Sequence, residues 1–222
     1  MSAYFVTSTG TDIGKTYVTA GLIRALRARG DHVDALKPVV SGIDPTNLGA
    51  SDPGMLLHAL GDPVTKETVA QISPWRFAAP LSPDMAAARE GRSIDFDALV
   101  DFCREGVAAS YGTLFIEGVG GIMVPLDASH TVRDWAKALD LPLIVVTGSY
   151  LGTLSHTLTA LDVIAGAGLT IAAVVINESA QSPVGLAETA ESLARRVAAP
   201  IATLTRDAPA TAFDALLPLV QP

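Results

Sequence analysis

One cysteine in 222 residues, Cys103, leaves no partner for an intramolecular disulfide and no thiolate cluster for a metal. Basic residues are also scarce. Fifteen Lys and Arg stand against 23 Asp and Glu, for a formal charge of -8, and they form no basic run. That balance argues against nucleic acid or an anionic membrane as a partner, and leaves small anionic ligands open wherever a few lysines and loop N–H groups converge. Long apolar runs are missing too: stretches such as Ile171 to Ile176 have strand length and are bounded by turns. The first residues carry no basic region ahead of an apolar segment, so no signal sequence is expected and a reducing cytoplasm fits. No repeat is visible. The length suits a single domain over residues 1–222, large enough to bury a substantial core.

The run from Ser8 to Thr16, STGTDIGKT, follows an apolar strand (3–7) and precedes a helix (17–28) with Val18, Leu22, Ile23 and Leu26 on its apolar face. Strand, glycine loop and helix form the setting of a P-loop. Glycines let successive N–H groups turn toward one point, and the helix N-terminus adds unpaired N–H groups and positive dipole charge, so a polyphosphate fits there. Lys15 would reach the terminal phosphate oxygens, and the Thr16 hydroxyl would ligate Mg²⁺. The common pattern puts its first glycine where this chain has Thr9, with Gly10 one residue late. A plain glycine turn ahead of a capped helix remains open on this stretch alone.

Further along, strands are expected at 33–39, 113–117, 143–147, 171–177 and 201–204. Helices are expected around 56–60 and at 95–109, 132–139, 153–165 and 186–197, with an irregular middle. Continuous apolar strands alternating with helices predict an α/β fold: a mostly parallel sheet covered by helices on both faces. Ligands in such folds bind outside the carboxyl ends of the strands. Polar residues collect there. Lys37 closes the second strand ahead of Pro38, with Ser41 and Gly42 just beyond; a solvated lysine and ordinary turn chemistry are the plainer alternatives. Glu117 ends an apolar strand and leads into Gly118-Val119-Gly120-Gly121, as an acidic metal position beside a close-approach loop would. Asp52 also reads as part of a helix start after Ser51, and Asn177 either as a purine reader or as a turn residue. His58 and His156 lack a metal-ligating partner at helical spacing and read as packed or solvated.

Taken together, YFVTSTGTDIGKT, LKPVVSG (36–42), Ser51-Asp52, APLSPDMAA (79–87), EGVGGIMVPL (117–126), LGTLSHTL (151–158) and GLTIAAVVIN (168–177) resemble the dethiobiotin synthetase family over nearly the whole chain. The resemblance implies a P-loop enzyme that uses ATP, Mg²⁺ and CO₂ to close a cyclic urea on the diamine 7,8-diaminononanoate, and that works as a homodimer. It implies catalytic roles for Lys37, Lys15 and Thr11, and nucleotide contacts from Asp12, Ile13, Gly14, Lys15, Thr16, Tyr17, Asp52, Glu117, Gly118, Val119, Gly120 and Asn177. Thr16, Asp52 and Glu117 are the implied metal ligands; Ser41, Ser82, Gly152 and Thr153 are the implied substrate contacts. The chain departs from the family pattern at Ser8, usually Gly, at Val119, usually Ala, and at Ser155, where relatives carry an Asn that reaches the substrate tail across the subunit interface. Two rivals share the loop. An amidoligase acting on a corrin acid would need a glutamine-hydrolysing domain, for which 222 residues leave no space. A partitioning ATPase would carry a lysine near the start of its loop, and residues 8–14 contain none.

Overall fold

The computed structural model describes residues 2–180 and 182–220. Within them, strands β1 (Ser2–Ser8), β2 (Val33–Leu36), β5 (Thr113–Glu117), β6 (Leu143–Thr147), β7 (Ile171–Asn177) and β8 (Ile201–Leu204) form one sheet in the order β2-β5-β1-β6-β7-β8. Every pairing in it is parallel. Alternation along each strand builds two cores. Phe5, Leu114, Ile116, Leu143, Val145 and Val174 enter one face, where Trp135 meets Phe5 edge-on at 4.9 Å. Tyr4, Val6, Phe115, Ile144, Val146 and Val175 enter the other, under α1 (Lys15–Ala28) and α2 (Asp52–Leu60). Helices α5 (Phe96–Ala109), α6 (Val132–Leu139) and α7 (Thr153–Gly166) accompany the first face, and α8 (Leu186–Ala194) precedes β8. The sheet buried on both sides is the expected one.

Most boundaries agree with the sequence expectation within two residues, and two differ by more. The stretch 33–39 is not one strand: β2 stops at Leu36, and β3 (Val39–Ser41) pairs in parallel with β4 (Trp75–Phe77) in a separate two-stranded sheet. Pro38 has no N–H to continue a ladder. Lys37 N–H donates instead to Ile72 O at 3.0 Å, and Lys37 O accepts from Ser73 Oγ at 2.6 Å. These partners come from the end of α3 (Lys66–Ile72), which lies, with β4 and α4 (Pro83–Arg89), in the irregular middle. The last long helix ends at Ala194 rather than Val197.

Beyond β8, a 3₁₀ segment (Ala210–Leu219) docks on α1, with Phe213 lying over Gly21 and edge-on to Tyr17 at 5.4 Å. A Cβ at Gly21 would overlap the Phe213 ring. Gly21→Ala is therefore expected to cost about 1–3 kcal/mol of stability by overpacking, read as a fall of roughly 3–10 °C in the thermal unfolding midpoint.

Candidate active site

The site lies at the carboxyl ends of β1, β2 and β5, neighbours in the sheet, where the chain leaves Ser8, Leu36 and Glu117 for three loops. Residues 9–14 turn through Asp12 and Gly14, both at positive φ (57° and 96°), and Gly14 opens α1. The second loop presents Lys37, and the third, Gly118 to Gly121, lies against the first. Gly118 N–H donates to Val6 O at 2.9 Å and Ile122 N–H to Ser8 O at 3.0 Å. A Cβ at Gly121 would stand 3.2 Å from Gly10 N, so this approach of two backbones favours glycine.

Between the loops is a cavity of about 460 Å³. Thr11, Asp12, Gly14, Lys15, Thr16, Tyr17, Lys37, Ser41, Asp52, Val119 and Gly120 line it, so most of the residues singled out in the sequence meet here. Val40, Ile43, Ala50 and Met55 complete the wall and carried no signal of their own in the sequence. Asp52 opens α2 as the first residue after the Ser51 cap, whose hydroxyl accepts from Gly54 N–H at 3.3 Å; the segment is a helix start, and Asp52 also lines the cavity.

Charge is concentrated beside this cavity. Lys37 is 1% exposed and Glu117 0%. Lys37 Nζ donates to Glu117 Oε1 at 2.7 Å and to Gly118 O at 2.8 Å, and stands 3.0 Å from Asp52 Oδ2. Thr16 Oγ1 donates to the same Glu117 Oε1 at 2.7 Å. Burial alone would lower the pKa of Lys37, but the Glu117 and Asp52 carboxylates outweigh it and the pKa is raised. Burial would likewise raise Asp52, yet the charge of Lys37, whose ammonium is 3.0 Å away, holds it below the usual carboxylate value. Glu117 Oε2 is buried and has no hydrogen-bond partner among the described residues. An unpaired buried carboxylate oxygen is costly, and beside a hydroxyl and a second carboxylate it completes a set of hard oxygen donors. That set suits Mg²⁺, which takes few protein ligands and fills its octahedron with water and phosphate.

Lys15 is the other buried cation. Its Nζ donates to Ser8 Oγ at 3.1 Å, and the Ser8 hydroxyl also contacts Gly10 O at 2.6 Å and Gly120 O at 3.0 Å. Ser8, where the family pattern has glycine, thus joins two loops to the Lys15 ammonium. Burial, and then the Lys37 charge, lower the Lys15 pKa to about 8. The unfolded chain therefore binds more protons than the folded one between pH 8 and the ordinary lysine value of 10.5. Stability of the ligand-free protein should rise with pH across that window. Lys15→Met is accordingly expected to stabilise the ligand-free protein at pH 7, by on the order of 3 kcal/mol, with the gain vanishing by about pH 10.5. Thermal unfolding of both proteins across pH 7–10.5 checks the sign.

Seven candidates are not part of the cavity lining: Ile13, Glu117 and Gly118 are chain neighbours or contacts of lining residues, and four others have their contacts elsewhere. Asn177, at the end of β7, donates from Nδ2 to Ile13 O at 3.0 Å. Ser82 precedes α4 and donates its hydroxyl to Asp84. Gly152 holds φ 100° ahead of α7, and the Thr153 hydroxyl turns inward to Gly148 O at 2.7 Å, within a buried cluster with Thr147 and Thr157. Near that helix start, Leu151 is 82% exposed, and Tyr150 Oη lies 2.8 Å from the exposed His156 Nδ1, a pairing with no sequence signature. Cys103 is buried, which pushes its thiol up to about 12 and leaves it inert at neutral pH. Among the described residues no helix is long and apolar enough to cross a membrane.

Comparison with known proteins places this geometry. A family model described as an AAA domain matches residues 2–206. Among solved structures, the cell division ATPase MinD from Pyrococcus furiosus superposes with a TM-score of 0.55 at 19% identity, covering 99% of this chain and 87% of that one. A ParA family ATPase from Chlorobium tepidum gives 0.53 at 18%, covering 91% and 83%; at such identities the likeness shows a shared P-loop α/β fold. Sequence relatives are far nearer. ATP-dependent dethiobiotin synthetase BioD from Acidiphilium cryptum is 52% identical over 200 residues, covering 90% of each chain. The protein of that name from Methylobacterium nodulans is 50% identical over 212 residues, covering 93% of this chain and 94% of the other. With the P-loop, the Lys37 pairings and the Glu117 loop assembled at one site, the chain belongs to the ATP-dependent dethiobiotin synthetase family.

Proposed function

We propose that Lys37, Lys15, Thr11 and the Thr16–Asp52–Glu117 oxygen set carry out the family's reaction in this chain, with residues 1–222 acting as one ligase domain. The reaction is the ATP- and Mg²⁺-dependent carboxylation and ring closure of 7,8-diaminononanoate with CO₂ to dethiobiotin, ADP and phosphate. One amine adds to CO₂ and loses a proton, giving a carbamate. A carbamate oxygen attacks the γ-phosphorus, ADP leaves, and a carbamoyl phosphate results. The second amine then attacks the carbonyl carbon, phosphate departs with the C–O bond, and the urea ring closes as that amine loses its proton.

The carbamate and ATP are both anions, so the site must offset their repulsion before it can align them. Two buried ammonium groups and the N-terminus of α1, beside one cavity, are suited to that task. Mg²⁺, held by Thr16, Asp52 and Glu117, would draw negative charge from the phosphate oxygens. Lys15 would hold the terminal phosphates, and Lys37, on the opposite loop, would meet the carbamate and the transferring group. Thr11 and Ser41 would donate hydroxyl hydrogens to the same anions. Asn177 would read the adenine edge with its remaining amide atoms, and Ser82, Gly152 and Thr153 would serve the carboxylate tail. The observation carrying this reading is the fully buried Lys37–Glu117 pair with Thr16 on the same oxygen. Incubation with labelled bicarbonate, ATP and the diamine should yield labelled cyclic urea at one ADP per ring; label that fails to enter the ring overturns the reading.

A homodimer belongs to the proposal. Supporting it, a groove of about 400 Å³ runs from Thr9–Thr11 past Met123 to His156 on α7. Its neighbourhood exposes Met123 at 46% and Leu151 at 82%. Sedimentation equilibrium is expected to give twice the chain mass, and Leu151→Asp to weaken the association.

A further inference from the structure

We infer that Asn177 is a positioning residue for the phosphate loop, a role separate from any contact with the base and resting on the phosphate-cradle reading of residues 8–16. The Ile13 carbonyl is an acceptor, so the atom facing it at 3.0 Å must be the amide nitrogen of Asn177. The peptide joining Ile13 to Gly14 is a rigid trans unit, whose C=O and N–H point to opposite sides. Holding the carbonyl toward β7 therefore turns the Gly14 N–H the other way. Gly14 lines the cavity beside Lys15 and Thr16, so this N–H joins the donors offered to phosphate.

The anchor belongs to the sheet and the loop does not. Asn177 closes a strand paired on both sides, in register with Leu204 of β8, and the next residue continues the ladder through Glu178 N–H to Leu204 O at 2.9 Å. Residues 9–14 form neither helix nor strand, and Asp12 and Gly14 sit in the left-handed region. The amide also packs against Gly14, where an added Cβ would overlap Nδ2. One side chain thus sets the peptide orientation and fits the glycine that opens α1.

Inorganic tripolyphosphate separates this role from base reading, because it offers phosphates and no base. The test measures Mg²⁺-tripolyphosphate and Mg²⁺-ATP affinity by calorimetry in the full chain and in Asn177→Leu, which keeps the side-chain size without a donor. Amide hydrogen exchange of both free proteins is followed alongside. Asn177→Leu should weaken tripolyphosphate about tenfold, weaken ATP at least as much, and speed exchange at residues 10–16 while leaving the β1 and β5 amides unchanged. A merely structural defect would raise exchange across the sheet. If the leucine variant does not fold, Asn177→Ser takes the same measurements. Tripolyphosphate binding within twofold of the parent, or exchange that rises everywhere, overturns the inference. So does a parent protein that binds ATP and takes no tripolyphosphate, a result that leaves the ligase reading standing.

Discussion

Lys37→Met is expected to lower diamine-dependent ADP formation by about a thousandfold, with ADP affinity changed by less than about threefold. The split follows from where the ammonium is held. Lys37 lies across from the phosphate loop on the Glu117 and Asp52 carboxylates and the Gly118 carbonyl, in position to act on transferring charge rather than on adenine. The same substitution has a second effect in the ligand-free protein. It strands Glu117, which is fully buried and already has one oxygen without a partner. Removing one member of a buried ion pair costs about 3–5 kcal/mol, or roughly 10 °C in the unfolding midpoint for a chain of this size. Millimolar Mg²⁺ should restore much of that loss, because a divalent cation can take up the charge that Lys37 offset. A variant that keeps its turnover, or loses ADP affinity in parallel with turnover, would assign Lys37 to nucleotide binding instead.

Glu117→Gln is the second large effect. The substitution keeps the shape of the side chain and removes the charge that Lys37 and Thr16 share. With Glu117 neutral, the ammonium of Lys37 has Asp52 as its remaining carboxylate partner, and Asp52 is less buried, with its side chain 43% exposed. The proposed metal set loses its buried anionic oxygen at the same time. Half-maximal activity should then require about 10–100-fold more Mg²⁺, and turnover at saturating metal should fall by about a hundredfold or more. Asp52→Asn should shift the metal requirement less, because solvent partly screens a half-exposed carboxylate. Titration of activity with Mg²⁺ at fixed ATP ranks the three proteins, and equal requirements would remove Glu117 from the metal set.

The sheet was legible because its strands are continuous apolar runs buried on both faces, a pattern with few other uses. Strands 113–117, 143–147, 171–177 and 201–204 have the boundaries expected from sequence. The middle was not legible. Helices α3 and α4 and strands β3 and β4 are short, and their hydrogen bonds depend on partners distant in sequence, as when Ser73 and Ile72 fix the backbone of Lys37. Lys37, before Pro38, was read as closing the second strand; it instead lies one residue beyond β2, and its side chain reaches Glu117.

The site divides along similar lines. Lys15, Thr16 and Glu117 announce themselves, because a lysine after glycine at a helix start and a carboxylate closing an apolar strand are hard to explain as packing. The Lys37–Glu117 contact spans 80 residues of chain, and no local pattern reports it. Ser8 looked like a departure from a glycine pattern, and its contacts with Lys15, Gly10 and Gly120 become visible only when two loops and the start of α1 are brought together. Asn177 had two readings from sequence, and its bond to Ile13 is a third that spacing could not suggest.

The central claim is that this site couples phosphoryl transfer to a carbamate made from the diamine. ADP release, followed with ATP and Mg²⁺ present and the diamine and bicarbonate added separately and together, tests it most directly. Release should require both, with either alone giving only a small background. Equal ATPase activity without the diamine would contradict the account.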